Sequence, residues 1–93
     1  MITFVMTGKY SMDAVGKISG KRTDRAEKIA RQCGGAIDAA YATMGKTDLL
    51  VIARFPSVGN AMKAAVEFTK AFGISFATVP VLPIAEFDKM IGS

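Results

Sequence analysis

The segment Asp48–Phe55, reading Asp-Leu-Leu-Val-Ile-Ala-Arg-Phe, constrains this chain more than any other. It follows the turn sequence Gly45-Lys46-Thr47 and stops at Pro56, which has no N–H to give a strand ladder. A short apolar run between such punctuation reads as a strand, and its near-continuity implies burial on both faces. Because side chains alternate along a strand, Leu49, Val51, Ala53 and Phe55 share one face. Asp48, Leu50, Ile52 and Arg54 share the other. A fold built around this segment must cover two apolar surfaces.

The rest of the chain supplies cover for one of them. Ile2–Lys9 alternates as a first strand, with Ile2, Phe4 and Met6 opposing Thr3, Val5 and Thr7. Ser11 and Asp13 have side-chain oxygens suited to capping a following helix, which breaks at Ser19-Gly20 because glycine is costly inside a helix. Helical spacing resumes from about Thr23: Ala26, Ile29, Ala30 and Cys33 form a stripe, with Asp24, Arg25, Lys28 and Arg31 away from it. Gly34-Gly35 stops that helix by allowing a left-handed turn. Ala36–Met44 reads as the second strand. After Pro56, Ser57 caps a helix whose stripe is Val58, Ala61, Met62, Ala65, Phe68 and Phe72, closed by Gly73. Ile74–Val81 is the fourth strand, which Pro80 and Pro83 hold to an edge. Ile84–Ile91 forms a short terminal helix.

The order β-α-β-β-α-β predicts an α+β fold, the ferredoxin-like sandwich: a four-stranded antiparallel sheet with two helices on one face. Right-handed crossovers put both helices on the same side. The 93 residues are expected to form a single domain, 1–93, large enough for a core without disulfides or metal. The other face of the sheet then stays bare, with Val5, Leu50 and Ile52 near its centre. Exposed apolar patches of that kind mark an interface or a binding groove. A homodimer packed face to face is the simplest symmetric cover, and a higher oligomer is the other.

Composition removes several chemistries. The chain has no histidine, the usual acid–base group near neutral pH and the usual proximal haem ligand. Its one cysteine, Cys33, excludes an internal disulfide and a cysteine-built zinc site, and its place on an apolar helical stripe makes it core. Neither a phosphate loop nor a dinucleotide fingerprint occurs, so no cofactor and no metal are expected. The N-terminus alternates as a strand and no apolar run approaches the ~20 residues of a membrane span, so a cytoplasmic location and no membrane partner are expected. The net charge is +4, with six of twelve basic residues between Lys17 and Arg31, a pattern read as a solvated helix face. Nucleic acid is not an expected partner. RNA-recognition modules of this topology stack bases on aromatics of the bare face, and here those positions hold Thr, Val, Leu, Ile and Arg, with Phe4, Phe55 and Phe76 read as core.

Four polar residues are candidates for a site. Arg54, between Ile52 and Phe55, must find a carboxylate, a backbone acceptor or water, and a bridge across a subunit interface to Asp48 or Asp38 is one solution. Its planar fork also suits an anionic ligand. Asp48, at a strand start beside a glycine turn, either caps that turn or serves as an acid–base group. Tyr41 offers a phenol from a half-buried strand position. Thr7 lies on the bare face of the first strand.

The stretch Met44–Pro56, with Gly45 and Asp48 in place, resembles the signature hairpin of the GYD domain family. So does Arg25-Ala26-Glu27 running to Cys33-Gly34-Gly35, the family's first helix and its glycine stop. The tyrosine that usually precedes the signature aspartate is Thr47 here. The family is similar to the dimeric α+β barrel superfamily, whose members pair two ferredoxin-like sheets around a central cavity. That resemblance implies a barrel dimer. Its wider members include cofactor-free monooxygenases, small isomerases, haem enzymes and regulatory ligand-binding modules, among which fold alone does not choose.

Three functions therefore stand at this stage. The first is a non-catalytic or regulatory, self-assembling domain that binds a small anionic or aromatic ligand between paired sheets, with Arg54, Asp48, Tyr41 and Thr7 near it. The second is a cofactor-free barrel-type enzyme, an isomerase or monooxygenase on an aromatic or quinone-like substrate, using Asp48 or a tyrosine. The third is a purely structural assembly subunit.

Overall fold

The computed structural model describes residues 1–16 and 20–92. The elements run β1 (Ile2–Tyr10), α1 (Met12–Val15), α2 (Lys21–Gln32), β2 (Ala36–Ala42), β3 (Leu49–Phe55), α3 (Val58–Phe72), β4 (Ile74–Val81) and α4 (Ile84–Ile91). All strand pairings are antiparallel, in the order β2-β3-β1-β4. β4 is an edge strand, as its prolines demanded. α2 begins at Lys21 rather than Thr23, and β2 ends two residues early, at Ala42. The capping expected of the Asp13 side chain, and Ser19 in the expected helix break, lie outside the described parts of the structure.

Helix ends follow local chemistry. Ser11 Oγ accepts from Ala14 N at 3.1 Å and Ser57 Oγ from Asn60 N at 3.1 Å, each meeting an amide that its helix leaves unpaired. Asn60 also donates to the Cys33 carbonyl at 2.9 Å, tying the start of α3 to the end of α2. Gly73 closes α3 in the left-handed conformation at φ 68°, and Gly34 does the same after α2 at φ 82°. The neighbouring Gly35 has another purpose. A Cβ there would collide with the Arg54 carbonyl oxygen, so it is the residue that lets the chain pass against β3.

The core lies between sheet and helices. Phe4, Met6, Val51, Ala53 and Phe55 rise from β1 and β3 to meet Ala30 of α2, Cys33 at its C-cap, and Ala61, Ala64 and Phe68 of α3. Phe4 and Phe55 sit ring to ring at 6.1 Å, and Phe68 meets Phe76 at 5.6 Å, both tilted as aromatic quadrupoles prefer. The expected stripe on α3 is shifted around the helix. Ala64 replaces Val58 and Met62, which are both more than half exposed, because the small residues let α3 approach the sheet closely.

α4 stands apart. None of its residues is buried, and Ile84, Phe87, Met90 and Ile91 are all exposed. Among the described residues no helix is long and apolar enough to cross a membrane.

Candidate functional site

Register determines what the helix-free face displays. Val5 of β1 lies between Ile52 of β3 and Val79 of β4, and Thr7 between Leu50 and Ala77. Directly paired residues of neighbouring strands point to the same side. The bare face therefore carries an apolar centre of Val5, Leu50, Ile52, Val79 and Val81, flanked by Thr3 and Thr7. β4 extends it beyond the two strands whose sequence declared it. Leu50 and Ile52 are only partly covered within one chain.

The polar candidates fall at opposite ends of this surface. A bulge in β2 explains how. Ile37 pairs with Ala53 but Ala39 with Ile52, so Asp38 is the extra residue. It sits beside Arg54, whose Nε donates to both Asp38 oxygens at 3.0 and 2.8 Å. The bridge is within the chain, not across an interface as one reading had it. The Asp38 hydrogen bond, then its charge, raises the Arg54 pKa above the ordinary guanidinium value, so the guanidinium stays cationic wherever the protein is folded. With side chains 46% and 38% exposed, it remains open to exchange for a ligand anion.

The same bulge reverses the parity of everything after it in β2. Tyr41 was expected to be half-buried. The one-residue slip moves it to the bare face opposite Leu50, where it is 57% exposed. It thereby shares a row with Thr7, across Leu50. Arg54 lies four residues along β3 from that row, roughly 13 Å away at strand spacing. Within one protomer, Thr7 and Tyr41 are brought together and Arg54 is not.

Asp48 is anchored at the Tyr41 end. Its Oδ2 accepts from Tyr10 N at 3.0 Å while its own amide donates to the Gly8 carbonyl at 2.8 Å. The side chain thus extends the β1–β3 ladder by one bond past the end of the strand. Asn at this position keeps an acceptor and Ala does not. Asp48→Ala is expected to cost about 1–2 kcal/mol in urea unfolding, and Asp48→Asn under about 1 kcal/mol. Equal losses would show that the carboxylate charge, not the bond to Tyr10, matters.

Tyr10 itself faces the helices, with the Arg22 guanidinium 5.1 Å from its ring centre, so it offers no phenol to the bare face. Cys33 is buried among core residues. Among the described residues, no cluster of three or more His, Cys, Asp or Glu side chains has metal-binding geometry.

The strand order, the two crossover helices on one side and the uncovered sheet define a ferredoxin-like α+β domain. The sequence pattern of the GYD domain family matches residues 4–91, and the chain belongs to that family. No curated protein matches it in sequence. Among solved structures it is similar to the leucine response regulatory protein of Mycobacterium tuberculosis, with a TM-score of 0.59 at 8% identity, over 88% of this chain and 51% of that one. It is also similar to a structure described as that of a glutamate-to-alanine mutant, with a TM-score of 0.65 at 10% identity, over 88% and 50%. The chain spans about half the length of each. These likenesses concern the fold.

Proposed function

We propose that residues 1–93 form one regulatory ligand-binding domain that assembles through the helix-free face of its sheet, with a small-ligand pocket between the paired sheets. The observation that carries this reading is the uncovered apolar face. The chain exposes 6329 Å², about 1,100 Å² more than the ~5,200 Å² expected for a compact monomer of 9.9 kDa. Its radius of gyration, 14.1 Å, likewise exceeds the roughly 12.3 Å of a compact chain of this length. The outlying α4 shares in this surplus with the uncovered sheet, and a standard protein interface buries an area of the same order, about 800 Å² per partner. The occupant is a second copy, because a two-fold axis lets one apolar patch cover another identical to it.

Pairing also supplies polar groups that one protomer keeps apart. Arg54 offers a cationic fork, and Tyr41 and Thr7 offer hydroxyls, around a water-poor floor of Leu50 and Ile52. That combination suits a small carboxylate or an aromatic anion. Asp48, held by the Tyr10 amide, positions the strand end rather than transferring protons. The name of the mycobacterial structure accords with regulatory use of this architecture.

Native mass spectrometry of gently purified protein tests the reading. Dimers or higher even-numbered assemblies carrying a small-molecule mass are expected, with Arg54→Gln removing the bound mass and sparing the assembly. A lone protomer, or an assembly whose retained mass survives Arg54→Gln, overturns it.

A further inference from the structure

On the opposite side of the molecule, α1, the start of α2 and the end of α3 enclose a cleft of about 460 Å³. Its charged lining is uniformly cationic: Lys21, Arg22, Arg25 and Lys70, with Ser11 and Thr69 beside them. Among the described residues no carboxylate lines it.

The two arginines are held in place. Arg22 lies over the Tyr10 ring at 5.1 Å and Arg25 over the Phe72 ring at 5.9 Å. Stacked guanidiniums lose side-chain freedom before any ligand arrives, which lowers the entropic cost of binding. Nη1 of Arg22 is buried and has no hydrogen-bond partner among the described residues. A buried donor of this kind is costly unless something accepts from it.

The backbone does not supply the missing negative charge. α3 ends at the cleft and α2 begins there, and their dipole ends contribute about half a charge each, of opposite sign. Side chains therefore set the local potential: four cations line the cleft, and Asp24 and Glu67 stand in the adjoining groove that Lys21, Arg25 and Lys70 also border. Glu67 itself lies outside the cleft and meets Lys70 only at 3.9 Å through exposed groups, a contact readily exchanged.

From this geometry we infer that the α2–α3 cleft is a binding site for a small phosphorylated polyanion. A single carboxylate would leave most of the cationic charge unmatched, whereas a di- or triphosphate meets it and presents acceptors on every side. A single-stranded nucleic acid fits less well. It binds by stacking bases on open aromatic faces, and here the guanidiniums already occupy the faces of Tyr10 and Phe72. The cleft and the bare sheet lie on opposite layers, so this site is independent of the proposed assembly.

Calorimetric titration of the full chain with inorganic triphosphate provides the test. Lys21 and Lys70 are exposed, so the double variant Lys21→Gln/Lys70→Gln is expected to fold, with affinity at least about tenfold weaker. Arg22→Gln is expected to weaken binding as much. Lys63→Gln/Lys89→Gln removes the same charge away from the cleft and is expected to change affinity by less than about twofold. Three outcomes overturn the proposal: no binding at millimolar triphosphate, equal losses in both lysine pairs, or tighter binding of a single-stranded oligonucleotide through the same residues. Oligomer size, measured on each variant, is expected to stay that of the parent, which separates failure of this site from failure of the assembly.

Discussion

Ile52→Lys is expected to leave the protein monomeric at micromolar concentration, where the proposed assembly predicts that the parent sediments as a dimer or larger. Ile52 pairs with Val5 on one side and Ala39 on the other, so it stands at the middle of the uncovered face. Its side chain points away from the core, and the substitution therefore adds a charge to the interface without opening a hole inside the protomer. Two-fold symmetry places the new ammonium in the interface twice. An unpaired charge withdrawn from water costs several kcal/mol, and two together are expected to weaken association by at least about 4 kcal/mol, roughly a thousandfold. Lysine is a better choice than glutamate because Arg54, two residues along the same face, would partner a carboxylate. Val66→Lys on α3 is the matched control, since Val66 is 52% exposed on the helix layer. Sedimentation velocity and circular dichroism together decide the matter: the proposal fails if Ile52→Lys stays assembled, or if Val66→Lys dissociates to the same extent.

The basis for this prediction was readable in the sequence, because period-two alternation in Asp48–Phe55 divides its side chains between two faces whatever else the chain does. Helix spacing and turn residues then supplied the topology. What escaped was the consequence of a single extra residue. Nothing in Ala-Ile-Asp-Ala-Ala-Tyr-Ala announces a bulge, since Asp38 looks like any polar residue on an exposed strand. Yet the bulge gives Arg54 a partner inside its own chain and turns Tyr41 outward. The position of Tyr41 and the partner of Arg54 thus depend on a register slip, and register is a property of the paired strand rather than of the strand's own sequence. α4 illustrates another limit. Its length and ends follow from local signals, but its isolation from the core depends on whether any surface lies within its reach.

The Gly34-Gly35 pair concerns the same strand. Both residues look like a helix stop, and only Gly34 has the positive φ of one, at 82°. Conformation alone would make Gly34 the less replaceable. Packing reverses the order. At Gly34 an added Cβ meets Pro56 Cγ at 3.2 Å, a contact that a small shift relieves, leaving a left-handed penalty of about 1–2 kcal/mol. At Gly35 the added carbon overlaps the Arg54 carbonyl oxygen and approaches Phe55 Cδ1 to 2.5 Å. Neither obstacle can give way. Arg54 is paired with Thr3 on one side and Ala36 on the other, and Phe55 is fully buried against Phe4. Relief requires α2 and its connection to lift from the sheet, uncovering Ala30 and Cys33. Gly35→Ala is therefore expected to cost at least about 3 kcal/mol, beyond the usual range for overpacking because the clash is with backbone. For a domain of this size, with about 5–14 kcal/mol in hand at roughly 0.05–0.15 kcal/mol per residue, that is a large share of the total. Urea midpoints for the two alanine variants provide the comparison. A Gly34→Ala loss larger than that of Gly35→Ala would mean that the left-handed turn, and not the close approach to β3, is what this glycine pair maintains.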